Sequence, residues 1–234
     1  MGLQYLILDS DGTLFDSMDT YTRIFSDTLN KPPFNVPVEV TTDFYRQSAG
    51  RSLNEQYAEM LRRYGYDVFH VDTLAREFFD EVERTEFRVF SDVQEVLPRL
   101  QQCKKSIITG TNTGMTKRRL EKSGLLPFID CVFGRDDETP NKTAAFAKLR
   151  ELYGANFTEN AVYVGDGTAD MELAVQEHVI GIGRIGFFSE EQLRNAGAKD
   201  VINNFFPKFL VNQHTRDSQH CISRSIQKRQ NCII

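Results

Sequence analysis

From about residue 88 onward the chain alternates between short apolar runs and stretches with apolar residues at helical spacing. No other feature constrains the fold as much. Strands are expected at 106–109 (Ser-Ile-Ile-Thr), 130–133, 161–164, 179–182 and 201–202. Between them, helices are expected at 93–101, 116–122 (stopped by Gly124), 143–153 and 169–177, and a capping box runs from Ser189 to Gln192. A further apolar run, 3–9, opens the chain. Strands this short and this apolar must be covered on both faces, which implies a parallel sheet between two helical layers.

Between the first strand and residue 88 only helices are legible. Met18, Tyr21, Phe25 and Leu29 share one face of a helix over 17–29, and Pro32, Pro33 and Pro37 then impose an extended linker. Residues 38–47 form the next helix. Ser52 to Glu55 reads as a capping box, followed by Tyr57, Leu61 and Tyr64 on one face and a stop at Gly65. Asp72 is expected to cap the last of these helices, with Leu74, Phe78 and Val82 in line.

In open parallel sheets ligands bind beyond the carboxyl ends of the strands, and several of these strands end in reactive side chains. The first ends in Asp9-Ser10-Asp11-Gly12-Thr13, another in Thr109-Gly110, and another in Gly165-Asp166-Gly167-Thr168-Ala169-Asp170; Lys142 opens the helix before that last strand. Each has an ordinary explanation when taken alone. Asp-x-Asp-Gly suits a strand-to-turn junction, Thr109 a strand end, Lys142 a first helical turn, and Asp166 and Asp170 a cap and a surface position. Together they would bring four carboxylates, a hydroxyl and an ammonium to one rim. Four carboxylates cannot share a small site without a cation, and a hard divalent ion such as Mg²⁺ resolves the conflict.

These segments, DSDGT, IITGT, the lysine of TPNKTAAF and VGDGTADMELA, resemble in order the four motifs of the haloacid dehalogenase superfamily of aspartate-dependent phosphohydrolases. The resemblance covers roughly residues 3–211. The helical insertion and the later AGAKDVI are similar to the phosphoglycolate phosphatase-like branch. The expected fold class is α/β: a three-layer, Rossmann-like parallel sheet core (1–15 and 87–211) with an inserted all-helical cap (16–86).

By this resemblance Asp9 attacks phosphorus and becomes an aspartyl-phosphate, while Asp11 protonates the leaving oxygen and later deprotonates water. Thr109 donates to a phosphoryl oxygen and Lys142 neutralises transition-state charge. Mg²⁺ is held by Asp9, the backbone carbonyl of Asp11 and Asp166, with Asp170 as ligand or supporting group. Gly110 and Arg51 are expected to contact substrate, Arg51 from a loop that resembles the cap's specificity loop. Dehalogenases of this superfamily lack an acid two residues after the nucleophile, so Asp11 points to a phosphoester. The implied activity is phosphomonoester hydrolysis of a small soluble phosphate ester. A phosphomutase of the β-phosphoglucomutase kind and a non-catalytic binding protein on the same fold are the alternatives.

A net charge of −5 argues against nucleic-acid binding by phosphate attraction. No apolar run approaches the roughly 18–20 residues of a membrane span, and no basic leader precedes the first apolar stretch, so a cytoplasmic location is expected. Cys103, Cys131, Cys221 and Cys232 show no CxxC spacing and read as reduced thiols. Residues 212–234 carry Arg216, Arg224, Lys228 and Arg229 against Asp217, a net of +3 that leaves −8 for the rest. This polar, aperiodic segment is expected to be a disordered tail; acylation of Cys221 or Cys232 would be its one route to a membrane. Gly181-Ile182-Gly183-Arg184-Ile185-Gly186 matches GxGxxG, but it comes too late in the chain for a dinucleotide fold and is assigned to chance or a loop. Nothing in the sequence sets the oligomeric state.

Overall fold

The computed structural model describes residues 3–205. The expectations for the 212–234 tail, with Cys221 and Cys232, lie outside these residues. Among them six strands form one parallel sheet: β1 (Tyr5–Leu8), β2 (Lys104–Ile108), β3 (Cys131–Phe133), β4 (Ala161–Gly165), β5 (Ile180–Arg184) and β6 (Asp200–Ile202). Their spatial order is β3-β2-β1-β4-β5-β6. The chain moves outward from β1 in one direction through β3, then returns to the other side of β1 and continues through β6. The order therefore reverses between β1 and β4, where ligands gather in open α/β sheets.

Strand β1 is central and buried on both faces. Leu6, Ile7 and Leu8 are all fully buried, yet they serve different cores because side chains alternate along a strand. Leu6 and Leu8 pack with Val93 and Val96 of helix α5 (Ser91–Val96) and Leu120 of α6 (Thr113–Lys122). Ile7 packs on the opposite face with Phe146 and Leu149 of α7 (Lys142–Tyr153) and Leu173 of α8 (Thr168–Gln176). That split is the three-layer arrangement. Helix α9 (Glu190–Asn195) adds Leu193 to a small cluster with Met171.

The helical segment after β1 comprises α1 (Met18–Leu29), α2 (Val38–Gln47), α3 (Leu53–Arg63) and α4 (Val71–Arg84). It has its own apolar interior, in which the fully buried Phe25 ring lies 4.9 Å from Tyr45 and 4.7 Å from Tyr57. The connections to the sheet run antiparallel: Asp16 N–H donates to the Arg88 carbonyl at 2.9 Å and Phe90 N–H to that of Leu14 at 3.1 Å. Among the described residues no helix is long and apolar enough to cross a membrane.

Several expected boundaries shift for local reasons. Helix α6 begins three residues early because the Asn112 side chain accepts from the N–H groups of Gly114 and Met115. The helix expected over 93–101 leaves α-geometry after Val96 and becomes a 3₁₀ turn at Leu97–Arg99, since Pro98 has no N–H to continue it. Asp72 does not cap α4; it sits inside the first turn, and Asp67 caps the preceding 3₁₀ turn instead. The GxGxxG segment is loop only at its end: Gly181 to Arg184 lie in β5, and Ile185 and Gly186 follow it. A Cβ on Gly181 would sit 2.9 Å from Ala174 Cβ, and one on Gly183 would sit 3.0 Å from Leu193 Cβ. Helices α8 and α9 reach the sheet only because these side chains are missing.

Candidate active site

Pairing in register places Leu8 of β1 opposite Ile107 of β2 and Val164 of β4. The residues just beyond therefore emerge together, since neighbouring strands lie only about 4.8 Å apart. Asp9 leaves the end of β1 with its N–H bonded to the Val164 carbonyl at 2.8 Å. Asp166 follows β4 directly, and Asp170 lies in the first turn of α8. Asp9, Asp166 and Asp170 are all buried, and each offers a carboxylate oxygen within 4.8 Å of the others.

Lys142, the first residue of α7, reaches this cluster from the facing layer. The Asn141 side chain caps that helix by accepting from Ala144 N–H at 2.9 Å, which orients the turn that carries the lysine. The Lys142 ammonium donates to Asp9 Oδ1 at 2.6 Å and to Asp170 Oδ1 at 2.7 Å. Asp170 is further engaged by the Tyr163 hydroxyl and by Gly167 N–H at 3.1 Å. It thus accepts three donors on two oxygens and holds the ammonium against Asp9.

The electrostatics follow from burial. Burial pushes the Asp9 carboxyl up to about 7, against the downward pull of Lys142 and with Asp170 adding repulsion. Burial, then Asp9 and Asp170, hold Asp166 well above the usual carboxylate range. Burial works against the Lys142 charge, but Asp170 and Asp9 outweigh it and raise its proton affinity well above that of a free lysine. One ammonium faces three carboxylates, and Asp166 has no ion-pair partner among the described residues. Buried carboxylates in excess over cations, all with hard oxygen donors, fit a divalent metal such as Mg²⁺.

Two glycines make the cluster sterically possible. Gly12 has φ +74°, and a Cβ there would lie 2.1 Å from Asp166 Oδ2. A Cβ on Gly165 would lie 2.6 Å from Asp170 Oδ2. In both places a carboxylate occupies the space of the absent methyl.

Thr109 is buried, one residue past β2, and its Oγ1 accepts from Thr111 N–H at 3.2 Å, so its own hydroxyl proton remains available to a ligand. Gly110 beside it is exposed, with nothing within 4 Å of where a Cβ would be. Asp11 stands apart from the three-carboxylate cluster. Its Oδ1 accepts from the Tyr21 hydroxyl at 2.6 Å and from Arg119 Nη1 at 3.0 Å, and its Oδ2 from the Thr111 hydroxyl at 2.8 Å. Arg51 is not drawn into the cluster: its half-exposed guanidinium pairs with Glu59 at 2.7 Å. The residue of that loop that meets the core is Gly50, where a Cβ would lie 3.3 Å from Ala169 Cβ. Gln56 pins the loop through the Arg51 carbonyl at 3.0 Å and the Ser48 hydroxyl at 3.1 Å.

Sequence reasoning missed Tyr163, Thr111, Arg119, Tyr21 and Tyr45. Tyr45, on α2, is buried, and its hydroxyl is pushed up by burial and then by the charges of Asp11 and Asp166. Each of these residues sits at an ordinary strand, turn or helix position, and no spacing distinguishes it. A cavity of about 720 Å³ adjoins the cluster; Gly12 and Asp166 line it with Asp19 and Arg46 from the helical segment and Arg184 and Phe187 from the sheet side.

Residues 6–183 match the sequence model of the haloacid dehalogenase-like hydrolase family. No curated protein matches the chain. Among solved structures it is similar to a predicted phosphatase from Clostridium acetobutylicum (21% identity, 99% of this chain and 100% of that one, TM-score 0.71). It is also similar to a haloacid dehalogenase-like family protein from Streptococcus pneumoniae (19%, 85% and 93%, TM-score 0.73). A third is a predicted phosphoglycolate phosphatase from Haemophilus somnus 129pt (16%, 87% and 95%, TM-score 0.71). At these identities the likenesses concern the fold alone.

Proposed function

The chain belongs to the haloacid dehalogenase-like hydrolase family, and from that premise we propose that it is a Mg²⁺-dependent phosphomonoesterase acting on a small phosphate ester in the cytoplasm. One observation carries the reading: the buried Asp9 carboxylate, held by Lys142 at the switch point of the sheet, beside an Asp166 that has no ion-pair partner among the described residues. Asp9 and Asp166, with the Asp11 carbonyl, would hold Mg²⁺, and Asp170 supports the site chiefly by orienting Lys142. When bound, the metal supplies charge neutralisation for an incoming phosphoryl group.

In this reading Asp9 attacks phosphorus as nucleophile; the new Oδ–P bond forms as the ester P–O bond breaks. The Lys142 ammonium, 2.6 Å from the attacking carboxylate, balances the charge that spreads over the phosphoryl oxygens. The Thr109 hydroxyl and the Gly110 N–H donate to those oxygens from the end of β2. Asp11 provides the proton for the leaving oxygen and accepts one from the water that cleaves the aspartyl-phosphate. Residues 16–86 serve as a cap over the core of 1–15 and 87–211, with Tyr45 and the loop bearing Gly50 and Arg51 facing the leaving group and excluding water.

Purified protein with Mg²⁺ should release inorganic phosphate from p-nitrophenyl phosphate, and Asp9→Asn should abolish this. Turnover that survives the substitution rules out Asp9 as nucleophile. Release of free phosphate from a panel of sugar phosphates, rather than formation of an isomeric sugar phosphate, separates a phosphatase from a phosphomutase.

A further inference from the structure

The surroundings of Asp11 are built from three separate parts of the chain. Tyr21 comes from α1, at the start of the helical segment. Thr111 comes from the turn after β2, and Arg119 from α6, which packs on the sheet. The Arg119 Nη1 that contacts Asp11 at 3.0 Å also donates to the Tyr21 hydroxyl at 2.8 Å, and that hydroxyl in turn donates a hydrogen bond to Asp11 at 2.6 Å. The guanidinium carbon lies 4.5 Å from the ring centroid of Phe87 and 5.9 Å from that of Tyr21, and Nη2 contacts Met115 Sδ at 3.5 Å. Arg119 and Asp11 side chains are only 10% and 12% exposed, so solvent screens their pairing little. Phe87 lies where the chain returns from the helical segment to the sheet. Arg119 thus joins the entering helix, the returning segment and the helix α6 packed on the sheet at one carboxylate.

All three groups facing Asp11 donate to it, and a guanidinium does not give up its proton. In this arrangement the carboxylate is an acceptor with both oxygens engaged. A group that protonates a leaving oxygen must instead carry a proton and point it at the ester. The clamp therefore sets where Asp11 stands and when it is free to act.

We propose that Arg119, acting with Tyr21, is a positioning residue for Asp11: the two hold its carboxylate at the junction of sheet and helical segment, and the ester-cleaving step draws on the carboxylate so placed. This rests on the phosphomonoesterase reading above. In that step Asp11 enters in its protonated form, with the rotatable Thr111 hydroxyl turned away from Oδ2 so that this oxygen carries the proton; the P–O bond breaks with its electron pair passing to the leaving oxygen, which takes that proton, while Asp9 Oδ bonds to phosphorus. A weakly basic leaving group needs that proton little, and a strongly basic one needs it greatly. Arg119 should therefore matter in proportion to leaving-group basicity, which a merely structural residue would not.

The test compares kcat/KM for p-nitrophenyl phosphate and benzyl phosphate, two esters of similar size whose leaving oxygens differ widely in basicity. Both are measured with Mg²⁺ on the full chain, its Arg119→Met and Arg119→Lys variants, and Tyr21→Phe. The parameter kcat/KM isolates the step that breaks the ester bond. Arg119→Met should lower the benzyl value about tenfold more than the nitrophenyl value, within the range that general acid catalysis contributes, and Arg119→Lys should restore part of that difference. Tyr21→Phe, which keeps the ring and removes one donor, should show the same selectivity to a smaller degree. Equal losses on both esters, or none on either, overturn the proposal. If Arg119→Met does not fold, Tyr21→Phe decides by the same criterion. If the unaltered protein cleaves neither ester, the phosphomonoesterase reading itself falls and takes this one with it.

Discussion

Gly12→Ala should separate backbone strain from damage to the site. Gly12 sits at φ +74°, where an L-residue costs about 1–2 kcal/mol relative to glycine. Its added methyl would also lie 2.1 Å from Asp166 Oδ2 and 2.4 Å from Asp166 Cγ. Ordinary carbon contacts begin near about 3.5 Å, so the carboxylate must retreat by roughly 1 Å or more. Misplacing a catalytic group by about 1 Å can cost about 100-fold in rate. Gly65 supplies the control: its φ is +73°, but a Cβ there meets nothing within 4 Å. Gly65→Ala should therefore carry the same backbone cost, lowering Tm by roughly 2–8 °C for a chain of this size, with activity unchanged. Gly12→Ala should show a comparable fall in Tm and, in addition, about a 100-fold fall in kcat/KM for p-nitrophenyl phosphate with weakened Mg²⁺ binding. The measurements are thermal melts by circular dichroism and steady-state hydrolysis on the two variants side by side. If Gly12→Ala stays within about threefold of Gly65→Ala in activity, under about 1 kcal/mol of transition-state stabilisation, then Asp166 does not act from the position described.

Three further outcomes are expected. Addition of Mg²⁺ to chelator-treated protein should raise Tm, by about 2.7 kcal/mol of stabilisation at 100 times Kd, and Asp166→Asn should remove most of that response. Asp92 holds Arg184 through two bonds of 2.8 and 2.9 Å, with the guanidinium 4.1 Å from the Phe90 ring centroid. Asp92→Asn should cost about 3–5 kcal/mol by leaving a buried charge poorly paired, read by urea denaturation. The same pair sets an acid limit. Burial opposes the Asp92 charge, but Arg184 and the Phe205 N–H hold its carboxyl below the usual range. Its contribution is therefore full above the unfolded value of about 3.9 and disappears as pH falls through the lower folded value. A urea midpoint that holds steady from pH 5 down through that range would contradict this.

What the sequence determined by itself was periodic or contiguous. The apolar runs at β1, β2 and β4 announced a sheet buried on both faces, because only alternation between two helical layers satisfies Leu6, Ile7 and Leu8 together. The acids stood directly at strand ends, so the parallel topology brought Asp9, Thr109 and Asp166 to one rim, and the start of α7 brought Lys142. Gly65 and Gly124 marked helix ends through their positive φ values. Tertiary structure alone decided what each charge would pair with. Arg51, expected to contact substrate, pairs with Glu59 eight residues on, and Asp11 is held by Arg119, 108 residues away. Asp170 spends both oxygens on Lys142, Tyr163 and the Gly167 N–H, so it became the anchor of the lysine. The GxG of β5, which sequence alone assigns to chance or a loop, provides two gaps that admit Ala174 and Leu193. Strand and helix are set by the spacing of neighbours along the chain, and that spacing is written in the sequence. The partners of a buried charge depend on which distant side chains packing delivers within about 3 Å, and no local pattern records that distance.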